Sequence, residues 1–114
     1  MHLATIRVRD TEILSLSCRR LDAEKGSAIL ELVTAAAHRG CTSVVLDFGP
    51  VTVIDFAGAR ALEAASAVLR GRGRLFLSGL SGRARATLRA LRAEEHVQMI
   101  EWWTEAVAPE VRAA

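Results

Sequence analysis

The sequence has no apolar run longer than a few residues, whereas a membrane-spanning helix needs about 20. Its opening stretch, "MHLATIRVRDTE", lacks the charged-then-apolar layout of a secretory signal. Cysteine is scarce: Cys18 and Cys41 are too few for a disulfide framework and fit reduced thiols in a cytoplasmic protein. Lysine occurs once, at Lys25, and no G-x-x-x-x-G-K-[ST] exists, which excludes a P-loop. The G-x-G of "GRGRLFLSG" precedes a strand instead of following one and has no third glycine in place, so a dinucleotide fingerprint is absent too. His38 and Cys41 lie three apart, but His2 and His96 are remote and no second pair completes a zinc site. No metal or other cofactor is expected, and no enzyme motif survives.

What is present is ordinary globular material. Of 114 residues, 51% are hydrophobic and 25% charged, enough for one core and too short for two. With no repeat, low-complexity stretch or flexible linker, residues 1–114 read as a single domain. The net charge of +2 hides an asymmetry: from Arg60 to Arg92 there are eight arginines against one acid, Glu63. That segment is therefore strongly basic and the remainder acidic, which bears on partners rather than on fold.

Periodicity supplies the elements. "ATIRVRD" and "EILSLSCRR" alternate as strands joined by the short Asp10-Thr11 turn, with Leu14, Leu16 and Cys18 on one face. From Asp22 to His38 the period becomes helical through Ile29, Leu32, Val33 and Ala36, and Gly40 marks the stop. "SVVLDF" reads as a strand buried on both faces, followed after Gly49-Pro50 by the short extended "VTVI". A helix is expected from Ala57 to Arg70, a second buried strand in "RLFLSGL", and a Ser81-capped helix over "GRARATLRALRAEEH". "VQMIEWW" suits a last strand and "TEAVAPEVRAA" a closing helix. The order β-β-α-β-α-β-α-β-α predicts an α/β sandwich: a mostly parallel sheet with an antiparallel N-terminal hairpin and helices packed on it.

Two places carry candidate chemistry. "GLSG" opens a helix after a strand, so Gly79, Ser81 and Gly82, with Arg83 and Arg85 beside them, form a candidate anion or nucleotide site. A bare turn is the plainer reading of the same residues. On the helix that follows, Arg85, Arg89 and Arg92 fall within about a 60° arc beside the apolar stripe. That is a solvated face or a docking face for an acidic partner; nucleic acid is disfavoured, because no aromatics accompany the arginines as stacking platforms.

The second place is "VVLDFGPVTVIDFAGARAL", residues 44 to 62. It resembles the signature of the STAS family, the sulfate-transporter and anti-sigma-factor-antagonist domains. In that family an apolar strand ends in Asp, a short "gV-x-x-I-D" run follows, and "D-S-S-G-L" opens a helix. Val51, Ile54, Asp55, Gly58 and Leu62 stand in the matching places, "GRGRLFLSGL" is similar to the family's later strand, and "TEAV" to its closing helix. The resemblance implies a non-enzymatic interaction module whose partner is an anti-sigma factor, a serine-kinase-like protein or another signalling protein. That partner would meet Asp55, Phe56, Ala57, Gly58 and Arg60. An accessory subunit held against the ATPase of a membrane lipid or solute transporter, and a nucleotide- or anion-sensing domain, stay open as alternatives, as does a homodimer. No direct membrane insertion is implied.

The departure from the family pattern is at its centre. Regulated antagonists accept phosphate on the first serine of "D-S-S-G"; here that place is Phe56 and the next is Ala57, neither with a hydroxyl. Thr52 and Ser66 are the nearby hydroxyls that could substitute. Asp55 is then expected to cap the following helix. Phe56 either packs into the core or stands out as an anchor.

Overall fold

A computed structural model describes residues 3–102 and Ala106. Strand β1 (Leu3–Val8) pairs antiparallel with β2 (Thr11–Leu16), with Ile6 opposite Ile13. After β3 (Arg20–Leu21) and helix α1 (Ala23–His38) comes β4 (Ser43–Asp47), which lies parallel to β2. Then follow β5 (Val53–Ile54), helix α2 (Phe56–Leu69), β6 (Leu75–Ser78), helix α3 (Gly82–Ala90), a 3₁₀ turn over Ala93–His96 and β7 (Gln98–Ile100). The main sheet runs β1-β2-β4-β6-β7, parallel except for the opening hairpin. This is the α/β architecture expected, with the expected strand directions.

The pleat sorts the apolar residues into two faces. Leu14, Leu16, Val44, Leu46, Leu75 and Leu77 enter one continuous core with Ile29 and Val33 of α1 and Leu62 and Leu69 of α2. Ile13 and Val45, which pair across β2 and β4, point the other way and are buried as well. That accounts for the unbroken apolar run of β4, since a strand covered on both faces needs no polar alternation. The two helices approach closely where α2 begins: a Cβ placed on Gly26 would lie 2.6 Å from the Ala61 Cβ.

The helix ends follow capping chemistry. Asp22 accepts from the Lys25 amide at 3.0 Å to start α1, and that hydrogen bond, the main cause, holds its carboxyl below its ordinary 3.8. At the other end Gly40 N–H donates to Ala37 O and Cys41 N–H to Ala36 O, the paired bonds of a Schellman stop.

Two expectations are corrected. "VTVI" does not prolong β4: the Val51 amide turns back to Phe48 O, and β5 pairs with β3 in a separate two-stranded parallel sheet. The helix opened by Ser81 stops at Ala90, not at His96. Arg92 takes a left-handed conformation (φ 57°), which turns the chain so that Ala93 is buried. Arg92 therefore leaves the helix, and the expected arc of three arginines shrinks to Arg85 and Arg89. The last expected helix, from Thr104 onward, lies outside the described residues except for Ala106, which is helical.

Candidate functional site

The residues of the candidate partner face sit at one turn because two hydrogen bonds and one close approach make it. The Asp55 amide donates to Leu21 O across the small sheet. Its carboxylate then accepts from the Gly58 amide at 2.8 Å, satisfying one of the free donors at the start of α2. Gly58 is required by space: a Cβ there would overlap the Leu21 carbonyl. Asp55 is thus a cap, as expected.

With Gly58 and Ala59 facing inward, Phe56 and Ala57 face out. Phe56 is 63% exposed, so the two open readings resolve in favour of a projecting ring. The guanidinium of Arg60, one helical turn on, lies 4.9 Å from the ring centroid, within cation–π range. The same guanidinium pairs with Glu63 at 2.9 Å and donates through Nη2 to Leu91 O at 2.8 Å, the carbonyl at the end of α3. Its Nε is buried without a partner. Arg60 therefore fixes the exposed ring from below and ties α2 to the end of α3; sequence reading placed it at the face but gave no sign of the α3 contact.

The second candidate, around "GLSG", lies beside the first. The Phe48 amide donates to Ser78 O, and Gly79 (φ 69°) packs so close to Asp47 that a Cβ there would be 3.1 Å from its Oδ1. Both loops leave the carboxyl ends of adjacent parallel strands, the usual place for sites in α/β folds. Ser81 spends its hydroxyl on the Ala84 amide at 3.1 Å, and Asp47 accepts from the Gly49 amide at 3.0 Å. Arg83 is exposed and Arg85 half-buried.

The substitute hydroxyls are elsewhere. Thr52 lies in the loop before β5 with its hydroxyl toward Arg19 O, and Ser66, two to three turns along α2 from Phe56, donates to His96 O.

One buried acid escaped the sequence reading. Glu12 on β2 is 6% exposed, accepts from Arg39 Nη2 through both oxygens (2.9 and 2.8 Å) and receives the Cys41 thiol at 3.5 Å. Burial, the larger cause, together with this acid neighbour pushes the Cys41 thiol above its ordinary 9.0. The alternation of "EILSLS" marked Glu12 as the strand's start and carried no hint of Arg39, 27 residues away. Among the described residues no cluster of three or more His, Cys, Asp or Glu could hold a metal ion, and no helix is long and apolar enough to cross a membrane.

A mixed sheet opened by a hairpin, with a capped turn between a strand end and α2, defines a particular class of small α/β domain. The chain belongs to the STAS domain family, whose model matches residues 7–110. Solved structures agree in fold. The anti-sigma factor antagonist SpoIIAA in its unphosphorylated form is 20% identical with a TM-score of 0.71, covering 99% of this chain and 100% of that one. An anti-sigma factor antagonist from Mycobacterium paratuberculosis is 13% identical with a TM-score of 0.79, over 95% of this chain and 92% of that one. The murine anion transporter Slc26a9 is 16% identical with a TM-score of 0.74, over 96% of this chain but 19% of the transporter. No curated protein matches the chain at significant similarity.

Proposed function

We propose that this protein is a non-enzymatic interaction module that binds an anti-sigma factor or related signalling protein through the turn 55–58, without a serine phospho-switch there. The observation that carries the reading is the exposure of Phe56, which by resemblance to the family signature stands where regulated antagonists have their serine. A protruding ring over a guanidinium is the type of group that anchors an interface, aromatic and arginine side chains being enriched among binding hot spots. Arg19 and Arg20 are exposed on the strand segment paired with β5. The partner surface that fits offers an apolar socket bordered by carboxylates. A phosphate at this turn would add nearly two negative charges; Phe56 and Ala57 leave no oxygen to carry it.

A transporter-associated role uses the same fold, which Slc26a9 contains as a small part of its length. It predicts capture of an ATPase subunit in place of a signalling protein. An anion at "GLSG" has less support, since Ser81 already occupies the Ala84 amide and the Asp47 carboxylate borders Gly79. The phospho-switch is tested by incubation with an anti-sigma-type kinase and phosphopeptide mapping. No phosphate is expected on residues 55–58, and stoichiometric modification of Thr52 or Ser66 would show that the switch had moved.

A further inference from the structure

At the opposite end of the sheet, where β6 and β7 begin, an open cleft of ≈ 260 Å³ separates the end of α2 from the 3₁₀ turn. Its wall is unusually rich in unspent charge. Arg70, the residue that ends α2, is exposed, and among the described residues its side chain has no hydrogen-bond or ion-pair partner. Arg74 faces the same space and is held by one contact, Nη1 to Gln98 Oε1 at 2.7 Å, which orients it without neutralising it. His96 lines the cleft as well. Of the nearby acids, Glu63 is taken by Arg60 and lies 4.0 Å from His96, and Glu94 is turned to Arg89; only Glu95 lines the cleft, and it has no described partner. Ser66, buried Leu75 and half-buried Val97 border it too.

We infer that this cleft binds a small phosphorylated molecule bearing hydroxyl groups, of the phosphosugar class. Arg70 and Arg74 lie four residues apart on the connection between α2 and β6, and two guanidiniums grip a phosphate better than one, because each supplies several donors in a fixed fork. Glu95 is an acceptor-only group that repels a phosphate but accepts from a hydroxyl, so it selects for a ligand with both. Half-buried Val97 offers the apolar surface for the ligand's carbon face. The volume, somewhat below the range of drug-sized sites, limits the ligand to about the size of a pentose phosphate. The site lies away from the turn at 55–58 and stands independently of that turn's role.

The test is a calorimetric titration of the full chain with ribose 5-phosphate, inorganic phosphate and ribose. The expected result is saturable ribose 5-phosphate binding at least about tenfold tighter than inorganic phosphate, with ribose silent. Arg70→Glu should weaken it about tenfold or more at unchanged thermal midpoint, since Arg70 is exposed and unpaired, whereas Arg9→Glu, exposed at the β1–β2 turn on the opposite edge of the sheet, should leave it unchanged. Absence of saturation by about 10 mM, equal affinity for phosphate alone, or equal loss in both variants would overturn the assignment.

Discussion

Phe56 and Gly58 share one turn and obey opposite demands. Phe56 points into solvent, where its size costs the fold little; Gly58 meets the Leu21 carbonyl, where even a methyl has no room. Gly58→Ala should therefore lower stability by about 1–3 kcal/mol, the usual cost of forcing atoms into a packed site. Denaturant unfolding checks this, and an unchanged midpoint would show that Leu21 can move aside. The capping role of Asp55 was legible from its position before a helical pattern. The exposure of Phe56 was not, because an apolar residue at a helix start serves the core or the surface equally well, and only the rotation of α2 decides. That rotation is fixed by Gly58, Leu62, Ala65 and Leu69, all buried.

Helices and strands were largely readable because their patterns are local: alternation in β1 and β2, 3.6-residue spacing in α1 and α2, a serine before α3. What escaped were contacts between elements. The end of α3 is the example: "RALRAEEH" continues as a good helical sequence, yet the chain breaks at Arg92 so that Ala93 can enter the core. The freed carbonyl of Leu91 is then met by Arg60 from another helix. Arg60→Ala should cost about 1 kcal/mol, toward the lower end for a charged hydrogen bond because the side chain is 40% exposed. It should also speed hydrogen exchange at the end of α3 more than in α1. Equal exchange rates in α3 of the variant and the parent would show that Arg60 does not hold the two helices together. The same variant frees the Phe56 ring, so partner affinity should fall as well.

Across the whole molecule the sheet keeps two kinds of chemistry apart. The candidate partner turn lies with the loops at the carboxyl ends of the parallel strands, and the Glu12, Arg39 and Cys41 cluster lies toward their amino ends. The family signature made the first legible; the second depends on parallel pairing between distant segments, which no local pattern encodes. Cys18 and Cys41 are 8% and 1% exposed, so both should resist thiol reagents in the native state and react on unfolding. The raised folded pKa of Cys41 sets the sign of its pH effect: its contribution is complete below 9.0 and is lost as pH rises through the folded value. Rapid native labelling of both below pH 9.0 would contradict the burial. The central claim, a partner face built on an exposed Phe56, is tested most directly by Phe56→Asp. Parent and variant are used as bait in native extract, with bound proteins quantified by mass spectrometry and the thermal midpoint of each bait measured. The account predicts an unchanged midpoint and loss of a signalling partner that the parent retains, equivalent to about 2 kcal/mol or more of binding energy. An equally stable variant that retains the same proteins in the same amounts would contradict it.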